Sequence, residues 1–280
     1  MRWLALLPAW RVSVSDNSPY DPPQAPVDAV VPADHGRWQL MEPQACPAGR
    51  GMGWISDGFR LFLASPGIWV VNFIIFAVIT LVLGVIPLVS LIGNILGPIF
   101  TAGLLFGARQ LDEHGELKVE HLFAGFSENG GKLAGLGALT IAMAIGVALL
   151  VVLLFFVFVG TAALTEPAAD PAQWGMSVLL MLLVVLSLTV PILMAYWFAP
   201  ALIVFHGMGV FDALKLSFVG CLRNMVPFLV YGLVMTLAMV VAVIPFLLGL
   251  LVLVPVIFGS MYVSYRDIFT DPPEDTLLSA

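Results

Sequence analysis

The sequence predicts an all-α, polytopic membrane helical bundle: six transmembrane helices as three hairpins, with interfacial amphipathic helices. Three observations predict it. Of the 280 residues, 60% are hydrophobic and only 10% are charged, with a mean hydropathy of +1.03. A soluble domain is about 45–50% apolar and about 25% charged, and it needs polar surface to meet water. The apolar residues gather in six long segments, and the basic residues gather at alternate connections between them.

Residues 1–45 read as a disordered N-terminal extension. Asp-Asn-Ser-Pro at 16–19 and Asp-Pro-Pro at 21–23 have linker composition. The apolar start from Trp3 to Trp10 is short, interrupted by Pro8 and without a clear cleavage site, so it makes a poor signal peptide. Met41 opens a segment leading straight into the first amphipathic stretch, which makes it the expected translation start. Residues 46–268 form the six-span membrane domain, and 269–280 a disordered cytoplasmic tail.

The first amphipathic helix sets Trp54, Ile55, Phe59 and Phe62 on one side and Asp57 and Arg60 on the other. A second, fainter one carries Val119, Leu122, Phe123 and Phe126. A third carries Phe211, Leu214, Phe218 and Cys221 against Asp212 and Lys215. Asp57 with Arg60 and Asp212 with Lys215 stand at i,i+3 spacing, where opposite charges pair. Such helices lie at the headgroup boundary with the apolar face inward.

A crossing helix needs about 20 mostly apolar residues. Residues 68–86, 88–108, 133–159, 176–205, 226–248 and 250–265 qualify, and none of these segments holds Asp, Glu, Lys or Arg. Pro87 and Gly249 mark tight turns between spans one and two and between five and six. Arg37, Arg50 and Arg60 precede span one. Arg109, Lys118 and Lys132 lie between two and three, Lys215 and Arg223 between four and five, and Arg266 after six. The opposite connections carry no Lys or Arg, and the sizeable one, 165–175, carries Glu166 and Asp170. Basic loops stay in the cytoplasm, so both termini are expected there, in a cell inner membrane. The thiols Cys46 and Cys221 fall on that reducing side, where a structural disulfide is not expected.

The chain also shows signs of an internal repeat. Asp57-Gly-Phe-Arg60-Leu61 and Asp212-Ala-Leu-Lys215-Leu216 each precede a close pair of spans. Ile86-Pro87 and Ile244-Pro245 stand at the turns, and Pro98 and Pro255 are each followed eleven residues on by an arginine, Arg109 and Arg266. The expectation is three units of one interfacial helix and one hairpin, all pointing the same way, unlike inverted-repeat transporters.

The run Pro47-Ala-Gly-Arg-Gly-Met-Gly-Trp54-Ile55 followed by Gly58-Phe-Arg-Leu-Phe62 resembles the opening of the BPSS-type family of uncharacterised proteobacterial transmembrane proteins. Gly97-Pro98-Ile-Phe with Gly103, Leu122-Phe-Ala-Gly-Phe126, and Ala213-Leu-Lys-Leu-Ser217 with Asn224 extend the resemblance over residues 45–270. It implies an inner-membrane location and brings no catalytic residues.

No catalytic, cofactor or metal set emerges from the motifs, so an enzyme is not expected. Gly125 to Leu133 departs from a phosphate loop in spacing and lacks the Ser or Thr that would hold magnesium. Asp112, His114, Glu116, Glu120 and His121 read as a solvated charged loop, because Gly115 keeps the two histidines off one helical face. His206 reads as an interfacial anchor. Within the spans, Asn72 and Asn94 are the polar residues of interest. Asn94 is flanked by Gly93, Gly97 and Pro98, which suits either a polar lining or close helix packing. The small-residue ladder of Gly93 and Gly97, with its counterparts at Gly103 and Gly107 and along Ala138, Ala142 and Gly146, permits close packing within or between chains.

Two functions follow as expectations. The first is a non-enzymatic membrane-organising or partner-binding component. The alternative is a transporter or channel for a neutral or lipid-like solute, which the absence of charge inside the spans turns away from proton or metal coupling. The lipid bilayer is the expected partner, with a second copy or another membrane protein as further candidates. The net charge of −7 sits in tails and loops and offers nucleic acid no basic face.

Overall fold

The computed structural model describes residues 39–85, 87–157 and 171–271. Residues 1–38, Ile86, the end of span three with Glu166 and Asp170, and the tail with Glu274 and Asp275 lie outside the described residues. The elements are β1 (Gln39–Leu40), α1 (Arg50–Ala64), α2 (Pro66–Val85), α3 (Pro87–His114), a short 3-10 helix (Val119–Phe123), α4 (Ala124–Ser127), α5 (Gly130–Phe155), α6 (Pro171–Trp197), α7 (Ala199–His206), α8 (Val210–Arg223), α9 (Met225–Val243), α10 (Leu250–Phe269) and β2 (Thr270–Asp271). Among the described residues six helices are long and apolar enough to cross a membrane, counting α6 and α7 as one. The chain is a multi-pass, all-α membrane protein.

The boundaries follow local chemistry. Pro66 opens α2, where a helix N–H has no intrahelical partner, and it stops α1 at the preceding residues. Asn129 takes the left-handed conformation (φ 60°) before α5. The expected span four is two helices, with Phe198 between α6 and α7 and Pro200 in the first turn of the latter. The orphaned Phe198 N–H donates to the Ser217 hydroxyl at 2.9 Å, which in turn donates to the Met194 carbonyl at 2.8 Å.

Each short amphipathic element packs mainly on the second long helix of the pair before it, and the first element closes the ring. The 3-10 helix and α4 lie on α3, α8 lies on α6 and α7, and α1 lies on α10. At the α1–α10 crossing the backbones nearly touch, and a Cβ on Gly58 would stand 2.5 Å from the Ser260 nitrogen.

The core lies at this end of the molecule. Trp54, Trp69, Leu105, Leu122, Phe198, Tyr262 and Phe269 are fully buried there. At the far ends of the helices Val85, Leu149, Phe156, Leu182, Ile244 and Phe246 are exposed, as hydrocarbon-facing residues should be.

Three expectations need correction. Residues 39–45, assigned to the disordered extension, form a strap. β1 pairs antiparallel with β2, the Met41 and Gln44 N–H groups donate to the Phe269 and Ile268 carbonyls at 2.7 and 2.8 Å, and Asn224 accepts from Cys46 N–H at 2.7 Å while donating to Gln44 O at 2.8 Å. An extended strap whose backbone is satisfied by distant partners has the same composition as a disordered one. By the same contacts Phe269, Thr270 and Asp271 belong to the folded part and not to the tail. Asp112 is not in a charged loop. The helix α3 continues past the expected end at Ala108, because Asp112 is buried in a pair with Arg266. Gly249 closes the turn of the third hairpin, residues 244–249, as expected. Phe246 and Leu247 take the left-handed conformations (φ 52° and 68°), and Gly249 is needed for close approach, since a Cβ there would meet Ala242 Cα at 2.5 Å.

Candidate functional site

Two features stand out above the packing: a layer of paired charges along the core end, and an apolar cavity beside it. In the charged layer, Arg50 joins Asp267 (Nε to Oδ2, 2.7 Å) and Asp57 (3.2 Å), and Trp54 donates its ring N–H to Asp267 at 3.0 Å. Burial works to lower the Arg50 pKa, but the two carboxylates overcome it and the pKa rises. Deeper in, Arg266 pairs with Asp112 at 3.0 Å, and the Tyr262 hydroxyl donates to the same carboxylate at 3.0 Å. Alongside, Arg109 pairs with Glu113 at 2.7 Å and stands 5.2 Å from the Phe205 ring centre. His206 Nε2 and the Tyr265 hydroxyl share a hydrogen bond of 2.5 Å.

Both thiols are free. Burial raises the Cys46 pKa, with Asp267 adding to the rise and Arg50 opposing it. Burial pushes Cys221 up to about 12, against a small opposing hydrogen bond with Ser217. Neither environment favours a reactive thiolate.

The polar residues singled out from the sequence do not converge. Asn72 is buried and donates to the Lys118 carbonyl at 3.4 Å, while its Oδ1 has no partner among the described residues. Asn94 is exposed on the outer surface and donates to Ser90 O, one turn back on its own helix, at 2.8 Å. Gly93 packs near Leu83, Gly97 meets nothing, and Pro98 is buried within α3. Neither asparagine lines a cavity among those found. Of the interfacial residues, Trp54 is buried and Asp57 stands 3.7 Å from Arg60. Asp212 and Lys215 form no such pair. Asp212 occupies the first turn of α8, where the helix N-terminus favours a carboxylate. Among the described residues no group of three or more His, Cys, Asp or Glu has metal-holding geometry.

The hairpins reach unequally past their amphipathic elements, at a rise of about 1.5 Å per residue. In the first, Gly125 of α4 meets the Ile99 carbonyl, leaving about 18 Å of helix to Pro87. On α2 the Asn72 bond to Lys118 marks the same level, with about 20 Å left to Val85. In the third, Gly58 meets Gly259, leaving about 14 Å to Leu250, and Gly51 meets the Pro227 carbonyl, leaving about 24 Å to Val243. In the middle pair, Ser217 bonds to Met194, leaving about 35 Å to Pro171, and Val210 touches Gly135, leaving about 30 Å to Phe155.

The cavity, about 680 Å³, lies between α6 and α9 with Cys221 of α8 at one end. Sequence reasoning passed over it. The available signal was Gly232, the only glycine in α9, set among large apolar residues. A comparison of the chain with protein-family models, curated proteins and solved structures gave no match.

Proposed function

We propose that this protein is a non-enzymatic, membrane-organising component of a cell inner membrane, with both termini in the cytoplasm. The unequal reach of its hairpins carries the reading. A bilayer's hydrocarbon core is about 30 Å thick. The middle pair is long enough to match it. The outer hairpins fall short by about 6 to 16 Å, and mismatch costs fractions of a kcal/mol per Å. Lipid must therefore thin or repack around them.

The third hairpin's tip suits contact with hydrocarbon. Ile244 is 74% and Phe246 96% exposed, with no polar side chain between them. The Leu247, Leu248 and Leu250 N–H groups bond back to Val243, Pro245 and Leu247 carbonyls at 3.3, 3.0 and 2.9 Å. Backbone satisfied in this way tolerates lipid. The buried polar groups at the core end are engaged with one another, Asp112 with Arg266 and Tyr262, Arg109 with Glu113. That supports a structural role for them over a catalytic one. The one-sided basic residues support the orientation, and the resemblance to the BPSS-type family supports the inner-membrane location. Transport along a polar path has less support, because Asn94 stands outside the bundle bonded to its own helix.

Reconstitution into bilayers of different thickness tests the reading. The thermal midpoint should be highest in thin dimyristoleoyl phosphatidylcholine and fall in thick dierucoyl phosphatidylcholine. A midpoint that rises steadily with thickness would remove the support.

A further inference from the structure

We infer that the cavity between α6 and α9 is a binding site for one glycerophospholipid of the near leaflet, holding an acyl chain along the cavity and its phosphate near Arg223. This goes beyond the membrane-organising reading, which concerns bulk lipid around the hairpin ends and does not involve this cavity.

The walls define the chemistry. Val190, Leu193 and Trp197 of α6 face Phe228, Gly232 and Thr236 of α9. None of the lining residues is charged. Two of its polar side chains are bonded internally, Cys221 Sγ to Met194 O at 3.4 Å and Thr236 Oγ1 to Gly232 O at 2.7 Å. The Trp197 ring nitrogen and the Tyr231 hydroxyl, also in the lining, have no hydrogen-bond partner among the described residues; the rest of the wall is apolar and, between two hydrocarbon-facing helices, accepts a hydrocarbon chain. Leu193 and Leu229, both lining it, are 56% and 69% exposed, so it opens sideways toward lipid and not toward water.

The dimensions fit one leaflet. The cavity begins at Cys221 and Met225, beside the amphipathic helix, and runs along α9 to Thr236, a length of about 16 Å. Half of a hydrocarbon core is about 15 Å. The helices α6 and α9 each rest on α8 and meet through the Trp197 ring, 6.2 Å from the Phe228 and Tyr231 ring centres, so the gap is set by the fold at its boundary end.

The charge fits a phosphate. Arg223 is not in the lining itself but lies in sequence between the lining residues Cys221 and Met225, at the last turn of α8 where the cavity begins. It is exposed, and its one hydrogen bond among the described residues is to the Pro43 carbonyl at 2.6 Å. Its guanidinium has no carboxylate within ion-pair distance among the described residues. Arginine binds phosphate bidentately.

Gly232 supplies a clean test. A Cβ there would meet nothing within 4 Å, so a larger side chain enters the cavity without disturbing backbone. Gly146 is equally open and lies outside the cavity, which makes it the control. The full chain in mild detergent is titrated with dioleoyl phosphatidylglycerol, and the one-to-one adduct is followed by native mass spectrometry. Gly232→Trp should weaken the adduct at least roughly tenfold at an unchanged thermal midpoint, while Gly146→Leu leaves it as in the parent. Arg223→Gln should weaken the phosphatidylglycerol adduct severalfold and leave a dioleoylglycerol adduct unaltered. An undiminished adduct in Gly232→Trp, or an equal loss in Gly146→Leu, overturns the site. An Arg223→Gln effect on both lipids alike overturns the assignment of the phosphate. The thickness series reads the hairpin ends, so either result can fail without the other.

Discussion

Trp54 and Phe246 are both large aromatic residues, yet one is wholly buried and the other 96% exposed. They mark the two ends of the molecule. At the core end, three amphipathic elements with the strap of residues 39–46 bury aromatic side chains, charged pairs and backbone together. At the far end the helices spread, and most of their surface meets lipid. The difference teaches where stability comes from in such a chain. Lipid tails are as apolar as leucine, so no hydrophobic force drives apolar helix faces together in the bilayer, and van der Waals packing and polar contacts must do it. Packing concentrates where polar groups and interfacial helices must be accommodated.

If that contrast is right, the largest effect comes from the buried ion pair. Asp112→Ala removes the carboxylate 3.0 Å from the buried Arg266, leaving Asp267 at 3.8 Å, and should cost about 3 kcal/mol, read as a lower unfolding midpoint in micelles. Leu233→Ala at the lipid-facing surface, 66% exposed, should cost less than about 0.5 kcal/mol. Equal losses would break the comparison. Replacing both partners, Asp112→Leu with Arg266→Met, should recover much of the loss.

Glycines sharpen it next. Gly58→Ala pushes a methyl group to 2.5 Å from the Ser260 nitrogen and should cost about 1–3 kcal/mol. Gly84→Ala, with nothing within 4 Å, should be neutral or gain up to about 1 kcal/mol from helix propensity. A cost at Gly84 as large as at Gly58 would mean that the far ends are packed after all. Asn224→Ala removes the side chain that holds Cys46 N–H and Gln44 O. It should cost about 1–3 kcal/mol and speed hydrogen exchange in residues 39–46. Unchanged exchange there would mean that the strap is held without it.

The same contrast explains what was legible beforehand. The far ends are solvated by hydrocarbon, so composition alone finds them. Span one was expected at 68–86 and the helix is Pro66–Val85. The core end is built from long-range pairs, which composition does not carry. Asp112 and Arg266 are separated by 154 positions, and nothing local in either distinguishes a buried partner from a loop charge. The strap was missed for the same reason, because its anchor, Asn224, lies 178 positions from Cys46 in the chain. Asn94 was singled out by its glycine and proline neighbours. Which side of a helix a lone polar residue occupies depends on packing, and an asparagine can satisfy itself on its own backbone. The cavity was hidden because α6 and α9 meet at the Trp197 ring and leave a gap beside it, and a gap leaves no pattern in either helix beyond Gly232.

The smallest effect tests the core end with pH. His121 lies in the 3-10 helix, and its Nδ1 accepts the Lys118 N–H at 3.2 Å. Burial, helped by the Lys118 charge, holds its pKa below the usual 6.5. Protonation would turn that acceptor into a donor facing another donor. The unfolded chain takes up this proton more readily than the folded one, so the group is neutral to stability well above pH ~6.5. Stability then falls as pH drops below that value and through the folded pKa. The ring is partly open to solvent, so the change should be small, roughly a degree or two of midpoint between about pH 7.5 and about pH 5. His121→Gln keeps an acceptor and does not titrate, so its midpoint should lose that part of the pH dependence. A variant that follows the parent's pH curve would place the titrating group elsewhere and leave the boundary element indifferent to the charge of its histidine.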